Sequence, residues 1–137
     1  MHELTEFLFP APAARRTGAI WSWWERRRLA YNVWVGAAGS FSVVVCTALA
    51  LMPPRPMGPL HLELIWVPVV IFGVLANVFY TAGAMVETLA DKLWGRQLLP
   101  VGPSLYRMGL TFSVGLALFP TLLMMIAWIL RVLGIVG

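Results

Sequence analysis

The fold is decided by residues 64–86, LIWVPVVIFGVLANVFYTAGAMV, a stretch that contains no charged side chain. A bilayer hydrocarbon core of about 30 Å is crossed by about 20 predominantly apolar helical residues. Because lipid offers the backbone no hydrogen-bond partner, such a stretch crosses as a helix. Two further stretches, Leu29–Met52 and Met108–Leu133, meet the same requirement. The sequence therefore predicts three transmembrane helices.

The composition favours the same class of protein. Of the 137 residues, 60% are hydrophobic and 12% are charged, whereas about 25% charge is usual in soluble domains. We expect an all-α integral membrane protein, a three-helix bundle with spans at about 29–52, 64–90 and 106–133. Residues 29–135 form one transmembrane domain in this interpretation, and residues 1–28 form a cytoplasmic N-terminal arm. No segment outside the bilayer is long enough to bury a core of its own.

The distribution of basic residues predicts the orientation of the bundle, because short cytoplasmic segments retain Lys and Arg. Only Arg55 and Arg131 fall on one side of the predicted membrane. The other basic residues fall on the opposite side: Arg15, Arg16, Arg26, Arg27, Arg28, Lys92, Arg96 and Arg107. We therefore place the N-terminus in the cytoplasm and the C-terminus outside. The net charge of +4 lies beside membrane ends, where it attracts anionic lipid headgroups, and does not indicate nucleic acid.

Three tryptophans come just before the basic run that precedes the first span, and a fourth follows the second span. Indole rings favour the headgroup region of a bilayer, so we predict Trp21, Trp23, Trp24 and Trp94 as membrane-interface anchors. Aromatic and basic residues interleaved in this way also suit single-stranded nucleic acid. The anchor interpretation is favoured because it requires only the residues present.

Polar and small residues recur at steps of three and four in every span, a spacing that places them on one helix face. Small residues let helix backbones approach each other in lipid, so we expect the three faces to meet inside the bundle. The predicted faces are Glu25, Arg28, Asn32, Gly36, Ser40 and Val43 in the first span, Gly73, Asn77, Tyr80, Ala84 and Glu87 in the second, and Gly109, Ser113 and Ala117 in the third.

Matching depths between the first two spans places Ser40 level with Asn77 and Asn32 level with Glu87. We expect Asn77 to donate a hydrogen bond across the helix interface, and Glu87 to contact Arg28 or Arg107. An ionisable residue within a span is a candidate for function. The polar bundle face of Asn32, Asn77, Tyr80 and Glu87 therefore has two interpretations, a packing interface or a proton or solute path. Packing is favoured because the deepest of these residues, Asn77, carries no charge.

Residues 24–32, WERRRLAYN, are followed by residues 77–83, NVFYTAG, and by Glu87. This combination resembles patterns in small uncharacterised bacterial membrane proteins and covers mainly the first two spans. The resemblance implies a bacterial origin and the same three-helix layout, and it implies no activity. With this origin, the membrane is expected to be the bacterial cytoplasmic (inner) membrane.

The sequence contains no phosphate-binding loop, nucleophile elbow or His-rich metal motif. Both histidines, His2 and His61, lie outside the spans, and Cys46 is the only cysteine. We therefore predict no catalytic residue, metal or cofactor. The leading hypothesis is a non-catalytic accessory or scaffold subunit that contacts membrane lipids and packs against other membrane subunits or itself. The alternatives are a small oligomeric transporter or channel and a lipid-binding membrane protein.

Overall fold

The structure, a computed structural model, describes residues 16–54, 62–94 and 101–136, with the backbone alone for 62–65. Within these residues the chain forms three α-helices and no strand: α1 (Thr17–Leu51), α2 (Leu62–Trp94) and α3 (Gly102–Val132). Each contains a segment long and apolar enough to cross a membrane. The predicted all-α three-helix bundle is confirmed. Most of the predicted N-terminal arm, residues 1–15, lies outside the described residues.

Helix α1 begins at Thr17, twelve residues before the predicted start of the first span at Leu29. Residues 17–51 contain no proline, and the helix ends just before Pro53 and Pro54, which lack the backbone N–H that a helix needs. A 35-residue helix is about 52 Å long at about 1.5 Å per residue. The Trp- and Arg-rich segment is therefore part of the first helix and packs with the rest of it.

The core lies toward the N-terminal half of α1. Aromatic residues of α1 fill this core against small residues of α2, where Ala76 and Ala84 leave room for rings. Tyr106 of α3 closes it from the third side. Helix α1 packs against both other helices, most extensively against α3. The bundle is thus organised around α1, with the largest side chains at one end.

The predicted face of α1 is wrong by one residue. The structure buries Trp24, Arg27, Tyr31 and Val35, each of which precedes a member of the predicted face. Among the predicted residues, Arg28 and Val43 are half-buried and the others are exposed: Glu25, Asn32, Gly36 and Ser40. Successive helix residues are about 100° apart, so α1 is rotated by that angle from the prediction.

The predicted faces of α2 and α3 agree better with the structure. Tyr80 and Ala84 are buried, and Asn77 and Glu87 are half-buried. On α3 the predicted Ser113 and Ala117 are buried, whereas Gly109 is exposed. Both helices therefore present mostly the expected residues to their neighbours.

The register between α1 and α2 differs from the one that span limits predict. Asn77 is level with Asn32, to which it is hydrogen-bonded, rather than with Ser40. Glu87 is level with Trp24 rather than with Asn32. The eight-residue difference is about 12 Å along the axis. It arises because the Trp- and Arg-rich segment packs inside the bundle instead of resting at its edge.

Candidate functional site

Glu87 connects all three helices through its carboxylate. Its Oε2 accepts a hydrogen bond from Trp24 Nε1 at 2.6 Å, and its Oε1 accepts one from the backbone N–H of Gly102 at 3.2 Å. Gly102 begins α3, and the first N–H groups of a helix have no partner within it. The positive end of the helix dipole also favours a carboxylate at this position. Glu87 of α2 thus caps α3 while holding α1, and we call these three residues the Glu87 node.

A side chain at residue 102 is incompatible with this cap. A Cβ built on Gly102 would collide with the Glu87 carboxylate. Pro103, the next residue, lacks an N–H and is tolerated in the first helical turn. The start of α3 is therefore shaped to receive an acceptor from α2.

The predicted contact of Glu87 with Arg28 or Arg107 is replaced by the Glu87 node. Arg28 Nη2 instead binds Glu25 Oε1 at 2.7 Å and donates to Thr81 Oγ1 at 3.3 Å. Arg107 is exposed on α3. The register places Trp24 at the level of Glu87, whose carboxylate accepts the hydrogen bond of the buried indole N–H. Arg28 thus forms its salt bridge with Glu25, one turn earlier on the same helix.

Trp23 and Trp24 lie inside the bundle, with 6% and 2% of their surface exposed. The prediction that both rings anchor the protein among headgroups is corrected accordingly. The Trp24 ring makes edge-to-face contacts with Tyr80 at 5.1 Å and Tyr106 at 6.3 Å between centroids. Such contacts stabilise aromatic pairs beyond their buried area. The N–H of the Trp24 indole is bonded to Glu87, whereas the buried Trp23 N–H has no hydrogen-bond partner among the described residues. Both rings are buried among the helices and stabilise their packing.

The other two predicted anchors have different surroundings. Trp21 is half-buried and packs against the core. Trp94 is 61% exposed and ends α2, so its role as an interface anchor stays a prediction.

Arg27 is a buried residue that sequence reasoning assigned to the lipid headgroups. It is 2% exposed, and its guanidinium lies 3.8 Å from the ring centroid of Trp23. Its Nη1 donates to the Trp23 carbonyl oxygen at 3.1 Å. The four-residue spacing of Trp23 and Arg27 is the signal in the sequence, because side chains at i and i+4 meet on a helix. Stacking on an aromatic face lets a cation lie away from water.

Polar residues form a second feature, on the outer side of the contact between α1 and α2. Asn77 Nδ2 donates to Asn32 Oδ1 at 3.0 Å, which confirms the predicted hydrogen bond across the interface. One turn away, Arg28 donates to Thr81. The two pairs follow one antiparallel register, in which four residues forward on α1 correspond to four residues back on α2. One further step of four residues brings Gly36 level with Gly73. We call these residues the amide seam: Arg28, Asn32, Gly36, Gly73, Asn77 and Thr81.

The amide seam borders an open groove of about 750 Å³. Valines of α2, among them Val70, Val74 and Val78, line it together with Asn77. Asn32 is exposed and Asn77 is half-buried. Asn77 lies two residues from Leu75, the midpoint of the apolar stretch 64–86, which is about 3 Å along the axis. The seam therefore exposes amide groups near the middle of an apolar span.

A hydroxyl pair joins α1 to α3 inside the bundle. The Tyr31 hydroxyl donates to the Ala76 carbonyl oxygen at 3.2 Å, and Ser113 Oγ lies 2.7 Å from the same hydroxyl oxygen. With the tyrosine proton directed at Ala76, Ser113 donates to Tyr31. All three helices thus meet at one phenolic oxygen.

Replacing Tyr31 by phenylalanine should lower the free energy of unfolding by about 1 kcal/mol, the usual range for interhelical hydrogen bonds. Ser113→Ala should have a similar effect, and the double variant should lose little more than either single one. Unfolding by SDS in bicelles, read by pulse proteolysis, measures these differences. Ser40→Ala, at an exposed serine of α1, is the control. Fully additive losses at Tyr31 and Ser113 would contradict the shared hydrogen bond.

The remaining chemistry of the described residues is limited. They include no group of three or more His, Cys, Asp or Glu side chains placed to hold a metal ion. Comparison with known proteins finds no matching family model, no similar curated protein and no similar solved structure. The Glu87 node and the amide seam are therefore the features that bear on function.

Proposed function

We propose that the protein is a non-catalytic accessory subunit that lies in a bacterial cytoplasmic membrane. In this proposal the protein packs against other membrane helices. The observation that supports this proposal is the amide seam. Polar groups exposed to hydrocarbon are unfavourable, whereas the same groups stabilise helix association when they meet partners. A surface of this kind, next to an open groove, suits contact with another transmembrane helix.

The glycines of the seam support the same proposal. A Cβ built on Gly36 or Gly73 finds no atom within 4 Å outside its own helix backbone. Neither glycine is therefore required for packing inside the bundle. Small residues at a helix surface let a second backbone approach closely, which is the arrangement that a docking face for helices needs.

A transporter or channel built on Asn77, Tyr80 and Glu87 has less support. Tyr80 is buried, and its hydroxyl donates to the Trp24 carbonyl oxygen. Glu87 is engaged by Trp24 and Gly102. These contacts assign both side chains to helix packing. A lipid-binding role loses part of its basis in the same way, because Trp23 and Arg27 face inward.

The proposal is tested by blocking the groove without touching the amides. Val74 lines the groove and is 58% exposed, whereas Val86 does not line it and is 53% exposed. At about 100° per residue, Val86 lies about 120° further around α2 than Val74. Polymer-bounded particles taken from native membranes should contain the 15.2 kDa chain together with at least one further membrane chain, either a second copy or another protein. Val74→Trp should convert them to single-chain particles, whereas Val86→Trp should leave their mass unchanged. Wild-type particles that contain one chain and no other protein would overturn the proposal.

A further inference from the structure

The side-chain amides of Asn32 and Asn77 each keep one group that is not hydrogen-bonded within the described part of the chain, and the two groups are complementary. Asn77 Nδ2 donates both to Asn32 Oδ1 and to the Gly73 carbonyl oxygen, each at 3.0 Å. A backbone carbonyl oxygen can only accept a hydrogen bond. The Gly73 carbonyl therefore requires the NH₂ group of Asn77, rather than its oxygen, to face it. Among the described residues, Asn77 Oδ1 has no donor and Asn32 Nδ2 has no acceptor. The seam thus offers one acceptor and one NH₂ group at the same depth.

We propose that these groups are satisfied by a second copy of this chain, an inference that rests on the proposed function and names its partner. Two copies inserted in the same orientation form a closed dimer only about a twofold axis along the membrane normal. Such an axis brings together residues at equal depth, and each contact occurs twice. Asn32 Nδ2 of each copy then donates to Asn77 Oδ1 of the other.

The surroundings of the amides fit this symmetry. The open space beside Gly36 and Gly73 lets two backbones approach each other at the axis. On the other side of the amides, Glu25 and Arg28 form an ion pair with side chains 52% and 31% exposed. The pair contains one negative and one positive side chain. A twofold axis therefore brings Glu25 of one copy toward Arg28 of the other. The same surface therefore supplies both halves of every polar contact.

The experiment uses the full chain, purified and reconstituted into lipid vesicles without any other protein. Cys46→Ser removes the native thiol, and Val74→Cys then places one thiol in the groove. Oxidation should link two Val74→Cys chains at least tenfold faster than two Val86→Cys chains. The ratio should persist when the vesicles are diluted with lipid. Adding Asn32→Leu to Val74→Cys should reduce the linking rate about tenfold.

Three results distinguish the possibilities. Equal linking of Val74→Cys and Val86→Cys chains would overturn the self-association proposal. If Val74→Trp still dissociates native particles in that case, the groove binds a different protein and the proposed function stands. If native particles also contain one chain, both proposals fail. Cooperative SDS unfolding of each variant checks that the bundle is folded, and an Asn32→Leu bundle that is folded yet links normally also contradicts the amide contacts.

Discussion

Replacing Trp24 by alanine should lower the free energy of unfolding of the bundle by about 3 kcal/mol, the lower end of the range for buried tryptophans in soluble proteins. The ring is 2% exposed and contacts Tyr80 and Tyr106, and its N–H binds Glu87. We use the lower end because lipid supplies no hydrophobic drive for packing. The substitution removes the dispersion contacts of the ring in a close-packed core and the hydrogen-bond donor to the Glu87 carboxylate.

The matched control is Trp34→Ala, since Trp34 lies on the same helix and is 63% exposed. Its loss should stay within about 0.5 kcal/mol, as for most surface substitutions. Trp24→Phe separates the two contributions, because it keeps a ring and removes the donor to Glu87. It should cost about 1.5 kcal/mol, a value typical of hydrogen bonds to charged groups. We measure SDS unfolding in bicelles by pulse proteolysis, because this readout does not depend on the fluorescence of the tryptophans that are replaced. Equal losses for Trp24→Ala and Trp34→Ala would contradict the buried position of Trp24.

The helices were predictable because hydropathy and helix length both depend on the thickness of the bilayer. The faces of α2 and α3 were largely predictable too, since small and polar residues such as Ser113 and Ala84 mark positions of close helix contact. Asn77 illustrates the strongest case. An uncharged amide in the middle of an apolar span requires a partner, and the partner is an amide of the neighbouring helix.

The rotation and register of α1 were not predictable by the same reasoning. Outside water, polarity does not separate the inner face of a helix from the outer one, because both faces can be apolar. Trp24 suited either the headgroups or the core, since an indole has an apolar body and a polar N–H. The choice depends on Glu87, which is 63 residues away in the sequence. The sequence contained one indication of the buried face of α1. Its residues recur at steps of three and four: Trp24, Arg27, Tyr31 and Val35.

The Glu87 node and the amide seam differ in how their hydrogen-bonding groups are satisfied. Glu87 has its hydrogen bonds inside the molecule and closes one end of the bundle. Asn32 and Asn77 satisfy only part of their capacity within the chain. Variants of the node should therefore act on the stability of a single chain, and variants of the groove on its association.

Gly83→Ala should destabilise the bundle, although alanine is the better helix former by about 1 kcal/mol. A Cβ on Gly83 would lie 2.7 Å from Trp24 Cη2, which is too close for two carbon atoms. The ring cannot turn away freely, because Tyr80 packs against it and Glu87 holds its N–H. We expect a net loss of about 2 kcal/mol, within the range for overpacked cores.

Gly115→Ala on α3 is the matched control, because Gly115 is exposed and a Cβ there meets nothing within 4 Å. It should be neutral or stabilising, so the two substitutions should differ in sign. A second control removes the obstacle itself. In a Trp24→Ala background the penalty of Gly83→Ala should disappear, since residues in contact give non-additive effects. The same SDS titration measures all four variants, and a Gly83→Ala penalty that survives without the ring would show that Trp24 does not rest on the backbone of α2.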